Sequence, residues 1–123
     1  MSRVGEVMHE NPEFCTLETR VPDIKYLMKK YNYKEMAVVN YEHVPVGIIT
    51  EDAVSDEKLE EYVHPFDLKA VERMKPISVS VKKETSLEDA LKIMESNHMT
   101  TIPVVDEQGH YIGIIKKADI FRH

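Results

Sequence analysis

Ile102-Pro-Val-Val-Asp-Glu-Gln-Gly-His-Tyr-Ile-Gly-Ile-Ile115 decides the fold, because the chain carries it twice. Ile102 to Val105 is a compact apolar strand, Asp106 to Gly109 is a turn with a glycine free to take positive φ, and Tyr111 to Ile115 is the returning strand. Sixty-six residues earlier the chain reads Met36-Ala-Val-Val-Asn-Tyr-Glu-His-Val-Pro-Val-Gly-Ile-Ile49. Ala37-Val-Val-Asn40 falls on Pro103-Val-Val-Asp106, and Gly47-Ile-Ile49 falls on Gly113-Ile-Ile115. The register runs outward from there. Leu27-Met28 falls on Ile93-Met94, Asp23 on Asp89, and Val7-Met8 on Arg73-Met74. The chain is two copies of one unit.

Each copy reads as strand, helix, strand, strand and short helix. In the second, Ile77 to Val81 alternates apolar and polar and predicts a half-buried strand. Thr85 and Ser86 ahead of Glu88 and Asp89 form a capping-box pattern. Leu87, Ala90, Leu91 and Met94 then mark one helical face, which Asn97-His98 ends. A final helix is expected from Lys117. In the first copy Val21, Ile24, Leu27, Met28 and Tyr31 mark the helix, with Pro22 in its first turn. Met36 to Val39 and Val44 to Ile49 are its paired strands. The acidic stretch from Ser55 reads as a connector with a short helix around Glu57–Val63. The expected organisation is a first motif over 1–54, a connector over 55–68 and a second motif over 69–123. The fold class is α/β (α+β): two small sheets with helices against them, related by a pseudo-twofold axis that would create two equivalent clefts.

Composition narrows the function. The 123 residues suffice for one modest domain. Sixteen Lys and Arg against 22 Asp and Glu give a net charge of −6, which disfavours nucleic acid as a partner. The single cysteine, Cys15, excludes an internal disulfide and reads as a small apolar residue, so a reducing, cytoplasmic location is expected. No apolar run approaches the ~20 residues of a membrane helix. The histidines (His9, His43, His64, His98, His110, His123) are scattered and form no HxH or HExxH ligand set. No nucleophile elbow, Walker loop or dinucleotide fingerprint is present. The expectation is a chain with no enzymatic activity, no metal and no required cofactor.

The ordered set of strand, helix and hairpin, with Pro-Val-Val-Asp, a turn, Gly-Ile-Ile and an acidic helix start, resembles a CBS motif. Two in tandem resemble a CBS pair, or Bateman module, over about residues 4–54 and 69–122. The resemblance implies a regulatory module that binds an adenosyl ligand (AMP, ADP, ATP or S-adenosylmethionine) in a cleft between motifs, associates as a disc-shaped homodimer and signals to a regulated protein.

The family's ligand signature is Gly, two apolar residues, Thr or Ser, two free positions and Asp. The hydroxyl and helix-start amides would hold phosphate, and the Asp would accept from ribose hydroxyls. Each copy here has half of it. The first has Thr50, but Ala53 stands where the Asp belongs, with Asp52 one position early; the second has Asp119, but Lys116 replaces the hydroxyl. A missing ribose acceptor weakens a nucleoside site directly, whereas Lys116 keeps a cationic partner for phosphate. The favoured cleft is therefore the one holding Asp119. By the resemblance it also takes Lys116, Ile114 and Thr101 from the second copy and Phe14, Tyr33 and Lys34 from the first. Phe14 or Tyr33 would stack on adenine and Lys34 would meet phosphate. The weaker cleft takes Thr50, Ile48, Ile77, Val79, Met99 and Thr100.

Plainer readings stand beside these. Asp119 as an acid near a helix start and Thr50 as a simple N-cap need no ligand. Lys116, Lys117 and Arg122 could form a solvated face, and Tyr26, Tyr31, Tyr33 and Tyr41 a packing or dimer surface. Two other functions compete with the ligand sensor: an interaction or dimerisation module with degenerate nucleotide sites, and an enzyme or metal protein, which has no motif behind it.

Overall fold

The computed structural model describes residues 2–122. In chain order the elements are α1 (Val4–Val7), β1 (His9–Glu10), β2 (Cys15–Thr16), α2 (Val21–Tyr31), β3 (Glu35–Val39), β4 (Pro45–Thr50), α3 (Asp56–Leu59), α4 (Ala70–Arg73), β5 (Lys75–Pro76), α5 (Leu87–Ser96), β6 (Thr101–Val105), β7 (Tyr111–Lys116) and α6 (Lys117–Arg122). Single 3₁₀ turns lie at Asp52–Val54 and Pro65–Asp67. The architecture is mixed α+β with two sheets, as expected: β2-β3-β4-β5, and β1-β7-β6.

The repeat is present in the hydrogen bonding residue for residue. Glu35 faces Thr50 and Met36 faces Ile49 in one hairpin; Thr101 faces Lys116 and Ile102 faces Ile115 in the other. Both hairpins shift register at the same place, between Val38 and Val39 and between Val104 and Val105. Cys15 pairs in parallel with Val38, and Val81 in parallel with Val104.

The compact units are not the front and back of the chain. One is built from residues 13–78, the other from the first twelve residues together with 79 onward. The leading segment of each copy has been exchanged. His9 pairs with Ile114 of the second hairpin, and Lys75 pairs with Ile48 of the first. The helical turn before each strand follows. The Val4 and Gly5 amides donate to Thr85 and Lys83 carbonyls, and the Ala70 and Val71 amides to Thr19 and Leu17 carbonyls.

Each unit has its own core. That of the second hairpin holds Val4, Val81, Leu87, Ala90, Met94, Ile102, Val104 and Ile115. Each has its counterpart in the other core: Ala70, Cys15, Val21, Ile24, Met28, Met36, Val38 and Ile49. Cys15 thus occupies the place of Val81. Burial pushes its thiol up to about 12, so it packs as a small apolar side chain rather than as a thiolate.

The helices end for local reasons. Ser86 accepts the Asp89 amide at 3.1 Å and caps α5, as the pattern predicted. Asn32, at φ 57°, ends α2 in the left-handed region.

Two predicted elements differ. Ile77–Val81 is not a continuous strand. Its alternation is real, with Ile77 and Val79 half-buried, Val81 buried and both serines exposed. Its ends, however, bond to different sheets: the Ile77 amide to Val46, and Val81 to Pro103 and Val105. The ladder cannot run through. The helix expected around Glu57–Val63 is Asp56–Leu59, started by the Ser55 hydroxyl accepting from Lys58, with turns and Pro65 after it.

Candidate functional site

In the unit containing the second hairpin, β7 runs directly into α6, and the Lys117 amide donates to the Thr100 carbonyl at 2.8 Å. This turn gathers four predicted residues. Ile114 and Thr101 are buried, Lys116 is half-buried across from Thr101, and Asp119 stands on the first turn of α6.

Asp119 is the focus of charge. His9 Nε2 lies 2.6 Å from its Oδ2, and Arg122 donates to its Oδ1. Only 16% of the Asp119 side chain is exposed. Burial alone would push the carboxyl up, but His9 and Arg122 outweigh it and hold the group below the usual carboxylate range. An ionised carboxylate with two oxygens can accept about four hydrogen bonds, so two partners leave acceptor capacity for a hydroxyl.

Sequence reasoning did not find His9 or Arg122. His9 arrives on the exchanged segment, opposite Ile114, and lies 110 residues before Asp119 in sequence. The available signal was the register itself, which places His9 on Lys75.

In the unit spanning 13–78, the Tyr33 hydroxyl accepts the Glu13 amide at 3.1 Å, which sets Tyr33 beside the segment carrying Phe14. Phe14 meets His43 edge-on at 4.9 Å, and Tyr33 stacks on Tyr31 at 5.5 Å. Both rings therefore have aromatic neighbours. Lys34 lies 3.4 Å from Glu51, with both side chains well exposed.

Among the residues of the weaker cleft, Thr50 does what the plainer reading says: its hydroxyl accepts the Ala53 amide at 3.3 Å and caps the following turn. Ile48 is buried and Ile77 half-buried in the same unit. In the other unit Val79 and Met99 pack against the core, and Thr100 is exposed.

A cavity of about 460 Å³ lies between α2 and the turn after β4 and includes Pro22, Lys25, Tyr26, Met28, Lys29 and Glu51 in its lining. None of the predicted site residues lines it. Among the described residues, no group of three or more His, Cys, Asp or Glu is placed to hold a metal ion, and no helix is long and apolar enough to cross a membrane.

Comparison with known proteins agrees with this architecture. The chain is 26% identical over 119 residues to an uncharacterised protein of Methanopyrus kandleri, covering 97% of this chain and 61% of that protein. It is 31% identical over 113 residues to inosine-5'-monophosphate dehydrogenase of Bacillus subtilis, covering 89% of this chain and 22% of the enzyme. The chain thus spans less than two thirds of both relatives. The crystal structure of CBSX2 in complex with AMP superposes with a TM-score of 0.80 at 23% identity, covering 99% of this chain and 95% of that one, which shows a shared fold. The family model for the CBS domain matches residues 4–60 and again 68–123. The twofold match coincides with the 66-residue register and the doubled hairpin, and the chain belongs to the CBS domain family, with two CBS domains in tandem.

Proposed function

We propose that the chain is a regulatory CBS pair that binds an adenosyl ligand at Asp119, without chemical turnover, and signals to a partner protein. The observation that carries this reading is the charged, little-exposed carboxylate of Asp119 at the β7–α6 turn, in the position of the family's ribose acceptor. The ribose hydroxyls donate to Asp119, the Lys116 ammonium serves phosphate, and Ile114 and Thr101 form the floor. AMP, ADP and ATP fit this description in full; S-adenosylmethionine, which has no phosphate, fits it through its ribose. That CBSX2 has been crystallised with AMP supports the ligand class. Phe14, Tyr33 and Lys34 are the further ligand contacts that the family resemblance assigns, and Phe14→Ala and Lys34→Ala titrations test them.

Asp119→Ala is expected to cost about 1–3 kcal/mol of binding, the loss of charged hydrogen bonds to ribose. Affinity for the phosphorylated ligands is expected to fall with added salt. Titration calorimetry with the four ligands decides. No heat of binding at millimolar concentration, or an Asp119→Ala protein that binds as well as the parent, refutes the assignment.

The second reading is an interaction or dimerisation module with degenerate nucleotide sites. It draws on Thr50 being committed to its own turn and Asp119 to His9 and Arg122. Both readings include a cytoplasmic homodimer, supported by exposed Tyr26, Val63, Phe66 and Phe121. Light scattering at micromolar concentration is expected to give twice the chain mass; a monomer removes this part of the proposal.

A further inference from the structure

We propose that the two partners of Asp119 have opposite roles toward a ligand: His9 is a positioning residue that fixes the carboxylate, and Arg122 is a cover that the incoming ribose displaces. The inference rests on the adenosyl reading of Asp119 and adds two residues and a sequence of events to it.

The asymmetry comes from how each partner is held. The backbone of His9 is fixed on both sides. Residues 9 and 10 are paired with Ile114 and Gly113, the Met8 amide donates to the Val4 carbonyl, and the Asn11 amide donates to Ile112. The ring thus starts from a fixed backbone point directly beside Asp119, and its side chain is 49% exposed. Arg122 sits one helical turn beyond Asp119, and its side chain is 75% exposed. A guanidinium so open is readily rehydrated when it swings into water, which offsets much of what it gives up at Asp119.

With 16% of its side chain exposed, Asp119 has little free carboxylate surface. Acceptor capacity remains on both oxygens, but a ribose that reaches both through so small an opening needs the room that one partner fills. The cheaper to replace is Arg122. With His9 still on Oδ2, the carboxylate keeps its orientation and Oδ1 is released for a hydroxyl.

The other ionisable groups on the surrounding elements do not reverse this. Lys117 reaches toward Glu95 on α5 at 4.0 Å. Lys116 lies on β7 and Glu10 beside His9 on β1. Neither is among the partners that hold Asp119 in the ionised form.

Adenosine is the probe, because it lacks phosphate and so does not respond to the loss of a cation elsewhere in the site. Calorimetric titration of the parent, Arg122→Ala, His9→Ala and His9→Gln gives the test, with thermal melts confirming that each is folded. Arg122→Ala is expected to bind adenosine several-fold more tightly than the parent. His9→Ala is expected to bind roughly tenfold more weakly, the loss of one hydrogen bond to a charged group. His9→Gln, whose amide can still donate to Oδ2, is expected to recover most of that loss, which a general packing defect would not allow. Arg122→Ala binding no better than the parent, or His9→Ala binding as well or better, overturns the proposal. Should His9→Ala fail to fold, Arg122→Ala and His9→Gln decide it by the same criteria. If neither parent nor Arg122→Ala binds adenosine at millimolar concentration, the adenosyl reading itself falls, a result distinct from all variants binding alike.

Discussion

A chain lacking residues 2–10 loses the fold of residues 79–122, although none of the deleted residues is near them in sequence. Val4 is fully buried in the core of that unit, and its burial is worth about 1.5–3 kcal/mol. The deletion also removes the carbonyl that accepts the Leu87 amide at the start of α5, the Val4 and Gly5 amides on Thr85 and Lys83, and the two-residue strand on the edge of β7. Each hydrogen bond contributes about 0.5–1.5 kcal/mol net. The expected loss is about 4 kcal/mol or more, against the ~5–15 kcal/mol total stability of an ordinary small protein. Hydrogen exchange followed by residue reads it directly: Val104, Ile114 and Ile115 lose their protection. If those amides stay as slow as in the full chain, the exchanged segment is ornamental and the unit stands without it.

How much of this was legible in the sequence follows from where the signals are local. The hairpins were readable because apolar strands around a turn are a pattern within fourteen residues, and the repeat confirmed them. The helices were readable from Val21, Ile24 and Met28, and from Leu87, Ala90 and Met94, whose spacing matches the buried face of each. The exchange was not readable. His9–Glu10 and Lys75–Pro76 are two-residue strands, too short to show a period, and all four residues are exposed. The same gap explains the site. Asp119 could be identified from its place after Gly113, but the histidine that holds it is delivered by a segment whose destination no local pattern declares. Ile77–Val81 shows the converse. Its alternation is faithful to burial and silent about which sheet each residue bonds.

The glycines of the two Gly-Ile-Ile runs are expected to differ in cost although they are equivalent in the repeat. A Cβ on Gly113 would run into the carbonyl oxygen of His9 as well as the Met8 methyl. A Cβ on Gly47 would run first into the Met74 thioether, with the Lys75 carbonyl at 3.2 Å. A methionine side chain has three rotatable bonds and can move aside, whereas a ladder-paired backbone carbonyl cannot move without its strand. Overpacking of this kind costs about 1–3 kcal/mol, and Gly113→Ala belongs at or above the upper end. Gly47→Ala belongs near the lower end. Relief at Gly113 requires β1 to lift from β7, which would carry His9 away from Asp119. Gly113→Ala should therefore weaken adenosyl binding as well as lower the melting temperature, while Gly47→Ala should lower the melting temperature less and leave binding close to the parent. Denaturant melts and calorimetric titration of the two variants side by side make the comparison. Equal destabilisation would mean that the strand yields as readily as the methionine. A destabilised Gly113→Ala protein that still binds as the parent does would separate the seating of β1 from the ligand site.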